Sequence, residues 1–187
     1  IGVWGGGVWP NDVESSGALG VRVDLGYAGP GLRIVPTFGY FSSRMKASEV
    51  RELSDRVEDL VDEQDPAAPP VSVDLGPIEW DEFVLGLDGQ FVWAVPGNFL
   101  TYVGAGVSGH LTNGSGSGIN GTFVEDLIDT FTAGVNAHGG FEYLATDRVR
   151  FFTEVRYEVR SDLRYPELRS GVTLFFTGPA PGEERRR

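Results

Sequence analysis

Apolar and polar residues alternate with a period of two through most of this 187-residue chain. Val21, Val23 and Leu25, for example, alternate with Arg22 and Asp24. Such a pattern predicts β-strands whose two faces meet different surroundings. Seven stretches have it: residues 21–27, 32–41, 82–95, 99–110, 131–143, 148–160 and 168–176. The glycine-rich opening, residues 1–8, adds an eighth expected strand.

The connections between these strands alternate in length. Short turns at residues 29–31, 96–98 and 146–147 follow the second, fourth and sixth strands. Longer polar links, residues 9–17, 46–78, 113–129 and 161–166, follow the first, third, fifth and seventh. This alternation predicts an all-β fold, an eight-stranded antiparallel up-and-down β-barrel over residues 1–176. Residues 177–187 are expected to form a flexible C-terminal tail.

The third link contains the one helical pattern in the sequence, at residues 47–63. Val50, Leu53, Val57, Leu60 and Val61 recur there at helical spacing among charged residues, which predicts an amphipathic helix. We expect its apolar stripe to pack over the open end of the barrel. A helix that binds a partner protein is the less favoured alternative.

The volume of a small barrel indicates which face of the strands points outward. The interior of an eight-stranded barrel is only just wide enough for side chains, and the aromatic residues on the apolar face would overfill it. We therefore expect the apolar face outside, with aromatic residues flanking an aliphatic middle. The predicted outer apolar face comprises Phe38, Tyr40, Phe83, Phe91, Trp93, Phe99, Phe141, Tyr143, Phe151, Val155, Tyr157 and Phe176.

The opposite face of the strands mixes glycines with charged residues of both signs. Glycines in strands make room for long side chains, and buried charges are tolerated when they are paired and hydrogen-bonded. We therefore expect a lumen ion-pair network that is nearly neutral. Its predicted members are Arg22, Asp24, Arg33, Glu82, Asp88, Glu142, Arg150, Glu154, Arg156, Glu158 and Arg169. The chain carries a net charge of -12, so the acidic excess belongs mainly to the loops.

Composition excludes several classes of function. The absence of cysteine removes thiol catalysis and cysteine zinc sites, and two histidines make a histidine metal site improbable. The acidic net charge argues against nucleic acid as a partner. No apolar run approaches the roughly 18 residues of a transmembrane helix, but tilted barrel strands of about 9–11 residues fit a membrane. No cofactor and no metal are expected.

Ser108 and His110 are the candidates for chemistry, with Glu142 or His138 as a third group. The two residues share a strand face and lie about 7 Å apart by strand rise, so a direct hydrogen bond is not expected. Both are expected in the lumen, where hydrogen bonding explains them. We expect no enzymatic activity, and a lipid-modifying hydrolase is a minor alternative.

The final strand, residues 168–176, alternates apolar and polar positions and closes on Phe176. With the alternating links, it makes the chain resemble the OmpA/OmpX-type family of small outer-membrane β-barrel domains over residues 1–176. Eleven residues follow Phe176, which departs from the family pattern. The resemblance implies a porin-like architecture in the outer membrane of a Gram-negative-type bacterium. A filled eight-stranded lumen leaves no continuous water path, so a pore is not expected.

The function expected from these features is that of a non-enzymatic outer-membrane barrel. Its role would be structural, anchoring or interactive through the long loops, with membrane lipid against the outer face and a protein partner on the loops. One alternative is an exported barrel that serves as an accessory subunit of a larger membrane complex, at its periplasmic face, with other subunits covering the apolar surface. Another is a soluble lipocalin-like barrel that binds a ligand.

Overall fold

A computed structural model describes residues 1–64, 75–116, 130–161 and 163–176, with side chains of the helix described through residue 59. These ranges contain nine strands and one helix. The predicted tail, residues 177–187, lies outside them. The elements are β1 (Gly2–Val8), β2 (Ser16–Arg22), β3 (Tyr27–Gly29), β4 (Leu32–Arg44), α1 (Ala47–Gln64), β5 (Glu79–Val95), β6 (Phe99–Ser115), β7 (Thr130–Leu144), β8 (Val149–Arg160) and β9 (Arg164–Leu174).

The strands form one antiparallel sheet that closes on itself. Consecutive strands pair from β4 to β9, β9 pairs with β1, β1 with β2, and β2 returns to β4. Both β2 and β3 pair with β4, so together they make the second of eight barrel strands. The predicted eight-stranded up-and-down barrel is confirmed.

The register of the strands fixes their tilt. Starting at Val95 on β5 and passing from each residue to its partner on the next strand, the row of paired residues goes once round the barrel. It returns to β5 at Leu85, ten residues from Val95. A stagger of this size in eight strands corresponds to a tilt of about 40° from the barrel axis. The residues joined in this row are Val95, Phe99, Tyr143, Phe151, Val172, Val3, Val21, Phe38 and Leu85.

Pro36 explains why the second barrel strand is divided into β2 and β3. The amide of Val23 donates to the carbonyl of Pro36 at 2.9 Å, but proline has no N–H to complete the pair. Next to it, Leu25 donates to Ile34 at 3.1 Å and Ile34 donates to Gly26 at 3.2 Å, so two residues oppose one. Gly26 adopts a φ of 84°, a conformation that glycine takes without steric cost. The missing N–H of Pro36 therefore coincides with the end of the regular ladder at Arg22 and Thr37.

The short turns lie where the sequence predicts them, between β3 and β4, β5 and β6, and β7 and β8. The predicted long link at residues 161–166 is wrong, because β9 begins at Arg164. Pro166 lies inside β9 opposite Tyr157. Its carbonyl accepts from the amide of Trp9, just beyond the end of β1, so its missing N–H falls where that ladder has stopped.

Helix α1 packs on the end of the barrel that carries the links, and we call it the lid. Val50, Leu53 and Val57 of the lid contact an apolar cluster that includes Ile78 and Trp80. The predicted amphipathic helix in the third link is confirmed. A smaller cluster of Val92, Leu100, Tyr102 and Leu144 lies near the short turns. Among the described residues, no helix is long and apolar enough to span a membrane.

Candidate functional site

The outside of the barrel is apolar, and we call this surface the outer wall. Of the twelve residues predicted for it, ten have exposed side chains, with Val155 at 60% and Phe151 at 52%. Tyr40 and Phe99 are half-buried, and each packs against a neighbouring ring. The exposed members are Phe38, Phe83, Phe91, Trp93, Phe141, Tyr143, Phe151, Val155, Tyr157 and Phe176.

The outer wall is as tall as the apolar core of a membrane. Outward residues of β5 run from Phe83 to Val95, which corresponds to about 30 Å along the barrel axis at the strand tilt given above. A hydrocarbon layer is about 25–30 Å thick. Rings gather at both limits: Tyr40 packs on Phe83 with centroids 4.9 Å apart, and Phe99 packs on Tyr143 at 5.1 Å.

The lumen is filled with charged side chains of both signs. All eleven residues predicted for the ion-pair network lie inside, ten of them buried and Asp24 half-buried. Among the described residues, six arginines and six carboxylates are buried, so their charges balance. These twelve are Arg22, Arg33, Glu82, Asp88, Glu142, Arg150, Glu154, Arg156, Glu158, Arg160, Glu167 and Arg169.

Glu142 organises the part of the network nearest the short turns. It lies 2.7 Å from Arg33, 3.2 Å from Arg22 and 3.6 Å from Arg150. Arg33 is fully buried and also contacts Asp24 at 3.2 Å. Three guanidinium groups around one carboxylate tie strands β2, β4, β7 and β8 together.

Arg156 and Arg169 organise the middle of the lumen. Arg156 donates to both carboxylate oxygens of Asp88 and lies 3.2 Å from Glu154. Arg169 lies 2.7 Å from Glu167 and 3.9 Å from Glu154. A cavity among these side chains measures about 10 Å³, room for about one water molecule. The packing leaves little space for a solute.

Glu82 organises the part of the network beneath the lid. It accepts from Tyr165 at 3.3 Å, and it lies 3.3 Å from Arg160 and 2.8 Å from Nδ1 of His110. Nε2 of His110 lies 3.4 Å from Glu158. All these groups are buried, so each charge depends on its neighbours in place of water.

Ser108 and His110 are in direct contact, contrary to the expectation from their spacing. The serine Oγ lies 2.9 Å from Nε2 of His110, and Glu82 holds the other ring nitrogen. The Ser108 hydroxyl, however, donates to Glu158 and so does not offer its proton to the imidazole. A nucleophile needs that proton transfer and access to substrate, and His110 is fully buried. The arrangement is suited to lumen hydrogen bonding.

Several lumen residues were missing from the network expected on sequence grounds. Arg160 follows Glu158 at the next inward position of β8, so the period of two could have identified it. Glu167 fell between the predicted link, residues 161–166, and the predicted strand, residues 168–176, and so was assigned to neither. The uncharged lumen residues could not be recognised by charge, although they occupy the same alternate positions of the strands as the charged ones. The missing residues are Gln90, Tyr102, Ser108, His110, Thr112, Asn136, His138, Arg160, Tyr165 and Glu167.

Comparison with solved structures identifies the architecture. Neisserial surface protein A superimposes with a TM-score of 0.58 at 16% identity, over 94% of this chain and 95% of that one. Ail, the attachment invasion locus protein of Yersinia pestis, gives 0.51 at 8% identity, over 92% and 94%. The chain has the fold of the small OmpA/OmpX-type outer-membrane β-barrels. No family model and no curated protein sequence matches it.

In this outer-membrane-type fold the apolar side chains face outward and the polar side chains face the lumen. A soluble ligand-binding barrel has the reverse arrangement. In a lipocalin-like barrel the rings would line the interior, whereas here Phe83, Phe151 and Tyr157 are 43–52% exposed. The interior holds paired ions and hydrogen-bonded polar groups. The lipocalin-like alternative therefore does not fit this structure. In the part of the chain that the structure describes, no group of acidic or histidine side chains could hold a metal ion.

Proposed function

We propose that this chain is a non-enzymatic outer-membrane β-barrel of a Gram-negative-type bacterium. The observation that carries the proposal is the outer wall, a largely apolar belt about 30 Å tall on a closed barrel. Exposed apolar surface of this extent is costly in water and favourable against lipid chains. The fold shared with outer-membrane barrels supports the same location.

The filled lumen argues for a structural, anchoring or interaction role over transport. Buried ion pairs occupy its length from Arg33 to Arg160, and the apolar face of the lid packs across one end. The long links leave the barrel at that end, and loops carried by a rigid scaffold are common sites of contact with other molecules. The chain has a net charge of -12, which favours a partner whose contact surface is neutral or positively charged.

Insertion into lipid tests the proposal. Purified protein, refolded in detergent, should transfer into phosphatidylcholine vesicles, become resistant to protease in its strands, and aggregate when detergent is removed without lipid. Its conductance in a planar bilayer should stay at the baseline, because the lumen is packed.

Two outcomes would separate the alternatives. A protein that remains monodisperse in water without lipid or partner would contradict a membrane-exposed outer wall. The accessory-subunit role would be favoured if the protein does not insert into vesicles but forms a stable soluble complex with another membrane-protein subunit.

A further inference from the structure

The hydrogen bonds around His138 describe a neutral imidazole ring. Its Nδ1 lies 2.8 Å from the side-chain oxygen of Asn136, and its Nε2 lies 3.2 Å from the side-chain nitrogen of Gln90. The amide nitrogen of Asn136 donates to Asp88, and the side-chain oxygen of Gln90 accepts from Arg33, so neither amide can be turned round. Nδ1 of His138 therefore donates and Nε2 accepts.

His110 has acceptors at both ring nitrogens. Its Nδ1 lies 2.8 Å from the carboxylate of Glu82. Its Nε2 lies 2.9 Å from Oγ of Ser108 and 3.4 Å from Glu158. Because the hydroxyl of Ser108 donates to Glu158, its oxygen is left to accept from His110. Both nitrogens of His110 therefore donate, and a ring that donates twice is an imidazolium cation.

Glu82 acts as an ionised acceptor because four donors converge on it. Besides His110, it accepts from the indole N–H of Trp80 at 3.1 Å and from the hydroxyl of Tyr165 at 3.3 Å. The guanidinium group of Arg160 lies 3.3 Å away. A carboxylate surrounded in this way has no need of a proton of its own.

The charges of the lumen agree with a protonated His110. The half-buried carboxylate of Asp24, 3.2 Å from Arg33, joins the six buried carboxylates and six buried arginines. Among the described residues this makes seven anions and six guanidinium groups, and His110 supplies the seventh cation. The groups that surround His110 are Glu82 on β5, Ser108 on β6, Gly134 on β7, Glu158, Arg156 and Arg160 on β8, and Tyr165 on β9.

Trp80 connects this charged group to the lid. Its indole N–H donates to Glu82, and its ring lies over the guanidinium group of Arg160, 5.6 Å from centroid to Cζ. The same ring belongs to the apolar cluster that includes Val57 of the lid. The lid therefore rests on a side chain that the charged group holds in place.

Loss of the proton from His110 would leave too few cations beneath the lid. Glu82 and Glu158 would then share Arg160, because Arg156 lies 3.9 Å from Glu158 and is already paired with Asp88. A buried carboxylate without a counterion requires water. The closed lid keeps its apolar face over this end of the barrel, so the deprotonated state favours an open lid.

We propose that His110 is a pH-sensitive switch for the lid. As an imidazolium it bridges Glu82 and Glu158 and keeps the lid closed, and loss of its proton in alkaline solution opens the lid and hydrates the two carboxylates. The closed state binds one more proton than the open state, so rising pH favours opening.

Nitrogen NMR tests the protonation states directly. Full-length protein with isotopically labelled histidine is refolded in detergent micelles at about pH 7, where an unperturbed histidine is mostly neutral. The chain contains two histidines, so the spectrum of His138→Gln assigns both. His110 should show two protonated ring nitrogens, and His138 one protonated and one unprotonated. An unprotonated nitrogen at His110 would overturn the proposal.

Protease access to the lid tests the switch. Trypsin cleavage at Arg51 and Arg56 is followed in the same micelles between about pH 7 and pH 9.5, with a small peptide substrate to correct for the pH dependence of trypsin itself. Corrected cleavage should rise by roughly tenfold, because one charge-assisted hydrogen bond is lost. The barrel should keep its compact gel migration before heating.

Two variants separate the switch from a general effect of pH. His110→Gln has no titrating ring and should be cleaved rapidly at both pH values, whereas His138→Gln replaces the neutral histidine and should keep the rise. An equally protected lid at both pH values, or a rise that persists in His110→Gln, would contradict the switch. If His110→Gln does not fold, the nitrogen spectrum and the pH profile of the unmodified protein decide. Both measurements use micelles, so their outcome is independent of insertion into lipid.

Discussion

Arg156 is the clearest example of how the lumen depends on complete pairing. Its side chain is 2% exposed, and it reaches Asp88 on β5 and Glu154 on its own strand. A buried ion pair adds little stability over a well-packed apolar pair, because desolvation offsets the attraction. Removal of a single partner is different, since it leaves the other charge without water and without a counterion.

We expect Arg156→Leu to lower the free energy of unfolding by about 3–5 kcal/mol, because Asp88 loses its guanidinium partner. Urea unfolding in lipid vesicles measures the change. Arg44→Leu is the control, since its exposed pair with Glu79 should contribute about 0–1 kcal/mol. Adding Asp88→Leu to Arg156→Leu should recover part of the loss. Equal losses for Arg156→Leu and Arg44→Leu would contradict the assigned network.

Gly20 is required by a close contact in the lumen. It lies opposite Trp4, and a Cβ atom there would lie 2.4 Å from the Trp4 ring and 2.1 Å from the carbonyl oxygen of Phe38. We expect Gly20→Ala to destabilise the barrel by about 1–3 kcal/mol through overpacking. Gly5→Ala is the matched variant on β1, where the nearest atom is 3.9 Å away, and should be nearly neutral. Urea unfolding of both variants in lipid vesicles measures the difference. Equal stability of the two variants would contradict the close contact at Gly20.

At the scale of elements, the lid and the barrel are held by different forces. The barrel strands are joined by ladders on both sides, whereas the lid is held by an apolar stripe that includes Val57 at 6% exposure. The opposite helix face is exposed at Asp55 and Asp59. Elements with few buried contacts open without global unfolding. The lid should therefore detach while the barrel stays folded.

Val57→Asp should release the lid, because it places a charge in the apolar cluster. Trypsin cleavage at Arg51 and Arg56 should accelerate by about tenfold or more, while the barrel keeps its compact gel migration before heating. Asp55→Asn, on the exposed face of α1, should leave the cleavage rate unchanged. Simultaneous loss of the barrel would mean that the lid and the barrel form one cooperative unit.

The elements that sequence could predict are those set by local pattern. Strand β5 shows the period of two from Phe83 to Val95, and its turn at residues 96–98 contains Gly97 and Asn98, both with positive φ. Pro166 suggested a link, but its position inside β9 depends on where β1 ends, which only the three-dimensional pairing decides. Local pattern therefore identifies strands better than their ends.

The individual contacts of the lumen required the register between strands. Ser108 and His110 meet because Glu158 and Glu82 approach from β8 and β5 and orient them. The alternation of residues along one strand does not predict which side chains of other strands approach it. The expectation that charged residues face inward needed only alternation and the volume of the barrel, whereas the choice of partner for Arg33 or Glu82 depends on neighbours as many as 109 residues away.

At the scale of the whole molecule, charge and apolar surface are separated into distinct regions. Within the described ranges, six buried arginines balance six buried carboxylates, so the net charge of -12 belongs to residues outside this buried set. The exposed apolar side chains form the outer wall, and the buried apolar side chains form one cluster beneath the lid and a smaller one near the short turns. In the proposed membrane location, the wall meets a medium as apolar as itself, and the stability of the fold then depends on lipid.

Val155 tests that dependence, because it lies in the middle of the outer wall opposite Gly139 and Leu168 on the adjacent strands. In lipid vesicles, Val155→Arg should lower the free energy of unfolding by about 2–4 kcal/mol, since a guanidinium group near the bilayer midplane loses its hydration. Asp55→Arg, on the exposed face of the lid, adds the same side chain outside the membrane and should change stability by less than about 0.5 kcal/mol. In a soluble barrel with this surface in water, the two substitutions would be equally harmless, and that result would overturn the membrane assignment of the outer wall.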